Sequence, residues 1–237
     1  MTEVSAYALR REHEFNLNGI VPWGRQFDEY EAFFELEQLR TGTRILDVGG
    51  GPSSFACEAV RKGFFVTALD PLYAFDAVAI KNRFENTVKA MRAGLRAASY
   101  RFNWTFYGSE EQIVRRRRAA LDVFLEDYQK FQGDRYVSGQ LPALAFADHS
   151  YDIALSSHLL FLYGDEMDIA FHIKSLREML RVAKEVRVFP LVNLDGRPSS
   201  HLPEVMRILE GDGFVPQLVP IDFEFQRGAT KMLRILQ

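Results

Sequence analysis

Short apolar runs alternate with segments of helical periodicity along most of the chain. The runs that predict buried strands cover residues 43–49, 64–70, 135–139, 151–157 and 184–192. Strands that alternate with helices indicate a parallel sheet joined by right-handed crossovers, which binds ligands at the carboxyl ends of its strands. The pattern therefore predicts an α/β fold.

The C-terminal part of the chain departs from this alternation. Ile221, Phe223 and Phe225 recur at a period of two within the stretch 215–225, and a turn at 226–230 leads into the apolar run 231–236. This pattern predicts a hairpin whose last strand inserts antiparallel to its neighbours. Dinucleotide-binding folds normally end with a parallel strand, so the predicted antiparallel hairpin argues against a dinucleotide-binding fold.

A long insertion separates the second and third predicted strands. The segment from about 73 to 132 is far longer than one crossover helix, and Val114, Leu121, Phe124, Leu125 and Tyr128 recur at helical spacing in its second half. That half is predicted to be an amphipathic helix. Earlier in the insertion, aromatic residues alternate at a period of two, which predicts an extended stretch that packs on the core or covers a pocket: Tyr100, Phe102, Trp104 and Phe106.

Charge is distributed unevenly between this insertion and the rest of the chain. Residues 81–130 contain eleven basic and six acidic side chains, so they carry +5 in a chain whose formal charge is −3, which leaves −8 elsewhere. The arginine run 115–118 is most simply a solvated helix face. Arg118, however, lies four residues after Val114 and three before Leu121, which predicts that it turns toward the cleft as an anion contact.

Overall composition indicates an ordinary globular protein. The chain has 237 residues, of which 47% are hydrophobic and 26% charged, and we expect a single domain covering residues 1–237. Its net charge gives no general attraction to nucleic acid, so a nucleic-acid partner is not expected. Cys57 is the only cysteine, no signal segment or membrane span is evident, and a cytoplasmic location is expected.

A glycine-rich turn follows the first predicted strand. Asp47 is followed by Val48 and then by Gly49, Gly50 and Gly51. Glycines allow backbone N–H groups to approach a ligand closely, and the helix that follows presents its positive end to the same place. A dinucleotide fingerprint of the form G-x-G-x-x-G would need a further glycine at Ser54, so that match is incomplete.

An acidic residue ends the second predicted strand. Asp70 follows the glycines by about 20 residues, the spacing at which an acid accepts hydrogen bonds from ribose hydroxyls. The alternative is that Asp70, which precedes Pro71, only caps the next helix.

These motifs together resemble class I S-adenosylmethionine (SAM)-dependent methyltransferases. Asp47, Gly49 and Gly51 match the first motif of that family, with Ser53 where a third glycine would stand. The stretch 140–155, QLPALAFADHSYDIAL, resembles the signature that leads into the fourth strand, with Gln140 in the place of an acid. The phrases GGGPSSF, SSHLLFLY, EMLRVAKEVRVFPL and EFQRG are similar to a bacterial group of methyltransferases.

The resemblance implies a Rossmann-like three-layer sandwich with a mostly parallel seven-stranded sheet and an antiparallel C-terminal strand, extended here by the helical insertion. It implies SAM as cofactor and methyl transfer to an O, N or S atom of a small molecule, with release of S-adenosylhomocysteine (SAH). The residues it implies for the cofactor are Asp47, Gly49, Gly50, Gly51, Asp70, Tyr73, Gln140, Leu141, Ser156 and Arg25. Gln140 and Leu141 would contact the adenine.

The segment after the fourth strand corresponds to the part of the family fold that faces the transferred methyl group. His158 is the best candidate there for a general base, since imidazole titrates near neutral pH. The alternative is a histidine that hydrogen-bonds backbone at a strand end. Ser157, Phe161 and Tyr163 are predicted to shape the acceptor pocket, with Arg118 as a further contact.

An N-terminal helical cover over residues 1–40 is predicted to fold over the cofactor. It contains an amphipathic helix around Phe33 and Phe34, and Arg25 is predicted to pair with the SAM carboxylate, although a surface arginine is an equal alternative. Tyr73 would lie on the adenine or, alternatively, pack under the next helix. No pair of histidines has metal-ligand spacing, and no metal is expected.

Three other functions stay open at this stage. The basic insertion would suit an RNA or protein methyltransferase, a SAM-binding protein without activity would share the cofactor motifs, and an NAD(P)-dependent oxidoreductase would share the glycines and Asp70. The acceptor and the oligomeric state are not given by any motif.

Overall fold

The computed structural model describes residues 22–164 and 166–237, which form a three-layer α/β structure. Residues 1–21, which hold much of the predicted N-terminal cover, lie outside the described residues. The helices are α1 (Phe27–Phe34), α2 (Phe55–Arg61), α3 (Ala77–Ala97), α4 (Glu110–Phe131), α5 (Ile169–Val182) and α6 (Leu202–Gly211). The strands are β1 (Arg44–Val48), β2 (Phe65–Leu69), β3 (Tyr136–Val137), β4 (Tyr151–Ser157), β5 (Ala183–Phe189), β6 (Val215–Pro220) and β7 (Lys231–Leu236).

One mixed sheet of seven strands has the order β3-β2-β1-β4-β5-β7-β6. Strand β7 pairs antiparallel with both β5 and β6, and the remaining pairings are parallel. The predicted fold class, a mostly parallel seven-stranded sheet closed by an antiparallel C-terminal strand, is confirmed. The order reverses between β1 and β4, and the carboxyl ends of these two strands therefore border the ligand-binding crevice.

Alternate residues of the central strands contact opposite helix layers. Ile45 of β1 lies in an apolar cluster with residues of α1 to α4, whereas Leu46 and Val48 lie in a second cluster with residues of α5 and α6. Both faces of the sheet are thus covered, which explains why the central strands are continuous apolar runs.

Helix α1 begins earlier than its apolar pattern suggests. The backbone N–H of Gln26 donates to Glu29 Oε2 at 2.8 Å, which caps the first turn, and the helix then starts at Phe27. At the other end the Arg187 guanidinium, nearly fully buried on β5, donates to the carbonyl of Phe34. The first contact caps the start of α1, and the second joins its last turn to the sheet.

The insertion forms the two long helices α3 and α4, and the predicted amphipathic helix is confirmed. Ser109 caps α4 by accepting a 3.2 Å hydrogen bond from the N–H of Gln112. The aromatic stretch before α4 is largely irregular: it has one bridge, from Phe102 to Gln226, and Tyr100 is 72% exposed.

Strand β6 is shorter than the period-two pattern predicts. It ends at Pro220, so the period-two residues after it belong to a loop whose Phe223 is buried among aromatic rings. Their alternation reflects packing on the core and not a strand.

No helix in the described ranges 22–164 and 166–237 is long and apolar enough to cross a membrane.

Candidate active site

The glycine turn after β1 adopts a conformation that only glycine takes easily. Gly49 has φ +76° and Gly51 has φ +57°, and the N–H of Gly49 donates to the Leu69 carbonyl at 2.8 Å. A Cβ on Gly49 would lie 2.8 Å from the Leu159 side chain, whereas a Cβ on Gly51 would meet no atom within 4 Å. Gly51 thus borders open space at the sheet edge.

Asp70 lies directly beside this turn. Its Oδ2 accepts the N–H of Gly51 at 3.0 Å, and its Oδ1 accepts the N–H of Leu72 at 2.7 Å. Burial raises the pKa of Asp70 to about 6, although both hydrogen bonds favour the carboxylate. Asp70 therefore caps the turn that follows, and the same carboxylate also holds the glycine turn against β2.

Asp47 at the end of β1 is a second carboxyl group beside the turn, and it is buried more deeply than Asp70. It is 1% exposed and accepts a hydrogen bond from the Tyr30 hydroxyl at 3.0 Å (Oδ1) and 3.2 Å (Oδ2). Burial raises its pKa to about 7, and the neighbouring Asp70 raises it further. A Cβ on Gly50 would lie 2.7 Å from Asp47 Oδ2, so glycine is required next to this carboxylate.

The segment before α1 packs directly on the glycine turn. A Cβ on Gly24 would lie 1.9 Å from the Pro52 carbonyl oxygen, and the Arg25 carbonyl accepts hydrogen bonds from Ser53 Oγ at 2.5 Å and from Ser54 N at 3.1 Å. Trp23 stacks on Phe84 of α3 with ring centroids 5.8 Å apart. The described part of the predicted N-terminal cover thus packs on the glycine turn.

Arg25 carries a guanidinium that is only partly satisfied. Its Nη1 donates to the Trp23 carbonyl at 3.1 Å, and its buried Nε has no hydrogen-bond partner among the described residues. Burial and the nearby Arg117 lower its pKa. Such a cation favours an anionic ligand.

A buried ion pair that the sequence analysis missed lies behind Arg25. Glu29 of α1 is fully buried and its carboxylate lies 2.6 Å from Arg117 Nη2, with a further hydrogen bond of 2.5 Å from the Tyr107 hydroxyl. Arg117 is 2% exposed, which corrects the interpretation of the arginine run as a wholly solvated face. Arg118, predicted to reach the cleft, instead pairs with Glu85 on the surface of α3 and α4.

The carboxyl end of β4 contributes three polar side chains. Ser156 is fully buried and its Oγ has no partner among the described residues, while Ser157 Oγ lies 2.9 Å from His158 Nδ1. His158 has φ +54°, and its N–H donates to the Phe189 carbonyl at 2.6 Å. Burial, together with Arg25 and Arg117, lowers the pKa of His158 well below its ordinary value.

An aromatic wall surrounds the imidazole of His158. Its ring centroid lies 5.2 Å from that of Phe33 and 5.5 Å from that of Phe189. Phe223 packs on Phe33 at 4.7 Å and on Phe106 at 5.1 Å, which continues the wall to a ring that is 39% exposed. Sequence periodicity had assigned Phe223 to a strand and had not connected it with His158.

The other predicted site residues belong to the segments that follow β2, β3 and β4. Tyr73 is buried and packs on Phe124 of α4, while its hydroxyl donates to the Gly51 carbonyl at 2.7 Å. It therefore packs on α4 and its hydroxyl supports the glycine turn, while its place on the adenine stays a prediction. Gln140 is exposed and Leu141 buried. Phe161 and Tyr163 are buried in a helical turn after β4, where Phe161 contacts His172 of α5.

Comparison with known proteins gives the chain a family. No protein-family model matches it. The uncharacterized protein MJ0045 of Methanocaldococcus jannaschii is 31% identical over 221 residues, which covers 93% of this chain and 97% of the relative. The chain belongs to the MJ0045 family. This relative is archaeal, so the narrower prediction of a bacterial group stays a prediction.

Several solved structures are similar to this member of the MJ0045 family. A SAM-dependent methyltransferase from Aquifex aeolicus is 16% identical, with a TM-score of 0.43 and coverage of 88% of this chain and 90% of that one. Magnesium protoporphyrin IX methyltransferase from Synechocystis PCC 6803, with bound SAH, is 12% identical, with a TM-score of 0.49 and coverage of 98% and 92%. These likenesses are partial, and the fold of this chain is given by its own strand order.

Proposed function

We propose that this protein is a SAM-dependent methyltransferase that acts on a small molecule. The observation that carries the proposal is the pair of carboxyl groups with raised pKa values, the buried Asp47 and the half-buried Asp70, beside the turn formed by Gly49 to Gly51 at the reversal point of the sheet. Buried carboxylates with raised pKa values are costly to the fold, and such groups concentrate at functional sites.

The residues present fit a ligand of the SAM type. Open space beside Gly51 allows a nucleoside to approach the backbone, and the Asp70 carboxylate adjoins it to accept ribose hydroxyls. Asp47 offers an anion to the amino group of the methionine part, and Arg25 offers its unpaired Nε to the carboxylate. The unpartnered Ser156 Oγ lies at the end of β4, where it supports the same site.

The chemistry of methyl transfer needs little from the protein beyond alignment. SAM supplies an electrophilic methyl group when bound. The protein aligns an acceptor atom and excludes water, and both functions suit the closed aromatic wall of Phe33, Phe189 and Phe223. This wall favours an apolar or ring-bearing acceptor.

His158 is best suited to hydrogen-bond the acceptor in its neutral form. Its lowered pKa leaves the imidazole uncharged near pH 7, and Nδ1 already contacts Ser157. A base with a strongly lowered pKa removes protons poorly, so the role of general base is supported only for acceptors that lose a proton easily.

The basic insertion supports a small-molecule acceptor over RNA. Seven of its eleven basic side chains form ion pairs with acidic residues: Arg96, Arg101, Arg115, Arg116, Arg117, Arg118 and Lys130. Such pairing lowers the charge that is available to phosphates, and counterion release would be correspondingly small.

The single cysteine, Cys57, is a buried free thiol, and with it we propose a reducing cytoplasmic location.

Isothermal calorimetry with SAM, SAH and NADH tests the cofactor assignment. We expect SAM and SAH to bind in the micromolar range, corresponding to about 7 to 8 kcal/mol, and NADH not to bind. Binding of NADH in place of SAH would overturn the proposal. Release of SAH from SAM in the presence of small-molecule mixtures then distinguishes an active enzyme from a SAM-binding protein.

A further inference from the structure

Arg25 and Glu29 lie on the same segment of chain but are not paired with each other. Among the described residues, the polar contact of the Arg25 guanidinium is with the Trp23 carbonyl, while Nε is unpartnered. The Glu29 carboxylate is the acidic group whose charge acts most strongly on Arg25. In isolation, these two side chains would be expected to neutralise each other.

Both oxygens of Glu29 are occupied by other donors. Arg117 reaches Oε1 at 2.6 Å through Nη2 and Oε2 at 2.7 Å through Nη1, which makes a bidentate pair. The Tyr107 hydroxyl occupies Oε1 as well, and the N–H of Gln26 occupies Oε2 at 2.8 Å. With these four donors, both oxygens of the carboxylate are satisfied without a contact to Arg25.

We infer that Arg117 is a positioning residue for the cofactor site, because it engages both oxygens of Glu29 and so leaves the Arg25 guanidinium available to the ligand's carboxylate. This inference rests on the proposed function. It assigns a role to the insertion, since Arg117 belongs to α4 and Tyr107 to the loop that precedes α4. The insertion thereby keeps Arg25 unpaired. Without the insertion, Arg25 and Glu29 would pair with each other.

Two ligands that differ only at the amino-acid end provide the test. SAH carries the carboxylate that Arg25 would bind, whereas 5′-methylthioadenosine has the same nucleoside without the amino-acid end. We expect Arg117→Gln to weaken SAH about tenfold and to change 5′-methylthioadenosine by less than about twofold, measured by calorimetry on the full chain. Without Arg117, Glu29 would turn to Arg25 and compete with the ligand.

The double variant Glu29→Gln with Arg117→Gln separates this role from a structural one. It removes the competing carboxylate, so SAH affinity should return to within about threefold of the original protein. Arg115→Gln is the matched control, because Arg115 is on the same helix, 74% exposed, and among the described residues paired with Glu111 at the surface. It should leave both ligands unchanged.

Tyr107→Phe is a milder variant for the case in which Arg117→Gln does not fold. It removes one donor from Glu29 and should weaken SAH by about two- to threefold, again without effect on 5′-methylthioadenosine. Equal weakening of both ligands, no weakening of SAH, or no rescue in the double variant would each overturn the inference. Failure of the original protein to bind SAH would instead reject the proposed function.

Discussion

The Tyr30 hydroxyl donates a hydrogen bond to Asp47 across 3.0 Å, joining α1 to the end of β1 inside the candidate cofactor site. Tyr30 also stacks on Phe55 of α2 with ring centroids 3.9 Å apart. The carboxyl group and this ring pair are nearly fully buried, so the fold tolerates a desolvated acid there. Groups of this kind are costly to stability and are retained where a ligand needs them.

The first prediction is that Asp47→Asn stabilises the ligand-free protein at alkaline pH. The folded state raises the pKa of Asp47 from its ordinary value of 3.8 to about 7, so the folded state binds the proton more tightly than the unfolded chain. This contribution to stability is fully present below about pH 4 and is lost as the pH rises through 7, which lowers the free energy of unfolding by about 4 kcal/mol. An amide avoids that cost while still accepting the Tyr30 hydrogen bond.

Thermal unfolding at two pH values measures this effect. At pH 8 we expect the variant to melt on the order of 5 °C higher than the original protein, and near pH 4 the difference should largely disappear. SAH binding should be weakened at pH 8 despite the higher melting temperature. A variant less stable than the original at pH 8 would contradict burial as the cause of the raised pKa.

The second prediction concerns the pH dependence of cofactor binding. The amino group of SAH is cationic and needs the ionised form of Asp47, so SAH affinity should fall as the pH is lowered from about 8 through 7. Asp70, with a pKa of about 6, adds a further loss below that pH if the ribose prefers its carboxylate. We expect 5′-methylthioadenosine, which lacks the amino group, to show only the second loss. Calorimetry across this pH range checks both losses of affinity. SAH binding that does not depend on pH would contradict the roles of Asp47 at the amino group and of Asp70 at the ribose.

The third prediction separates the ribose role of Asp70 from its role as a cap. Asp70→Asn should weaken SAH by about 1 to 3 kcal/mol, because the ribose hydroxyls lose a charged acceptor. Asp76→Asn is the matched control, since Asp76 caps α3 through a 2.7 Å hydrogen bond from the N–H of Ala79 and lies outside the glycine turn. A lower SAH affinity in Asp70→Asn than in Asp76→Asn is the expected result, and equal affinities would show that Asp70 only caps.

The sheet and the glycine turn at its edge could be predicted because they depend on local patterns. Apolar runs that end in Asp47, Asp70 and Ser156 define where parallel strands stop, and the hairpin after residue 220 defines the antiparallel strand. The carboxyl ends of neighbouring parallel strands meet at one edge, so these residues converge without any further information.

The arginine that faces the interior could not be chosen from spacing alone. Arg118 lies four residues after Val114 and three before Leu121. Arg117 lies three residues after Val114 and four before Leu121, so both arginines fit the same helix face. The choice is made by Glu29 on another element, which gives Arg117 a buried partner. Likewise, Phe223 joins the wall around His158 through tertiary packing that sequence alternation does not reveal.

The fourth prediction tests the basic insertion as a nucleic-acid surface. We expect the combined variant Arg115→Gln, Arg116→Gln and Arg118→Gln to leave SAH affinity unchanged and to show the same weak RNA binding as the original protein at about 150 mM salt. The reason is that all three arginines are already paired with acidic side chains. Fluorescence anisotropy with a labelled RNA provides the measurement. Tight binding that falls steeply with salt and is lost in the variant would favour an RNA methyltransferase.

The last prediction concerns His158 and is read from its pH profile as well as from its rate. With an acceptor identified by SAH release, His158→Ala should lower kcat by about 100-fold or more and leave SAH affinity within about twofold, because the imidazole acts on the acceptor. His158→Asn should recover part of the rate if hydrogen bonding is the role, and none if proton removal is. Because burial and two arginines lower the pKa of His158, the original enzyme should show no step from this residue between about pH 6 and pH 8. A step near pH 6.5 that disappears in His158→Asn would assign the imidazole as a general base, whereas a joint loss of melting temperature, SAH affinity and rate would make it a structural residue at the strand end.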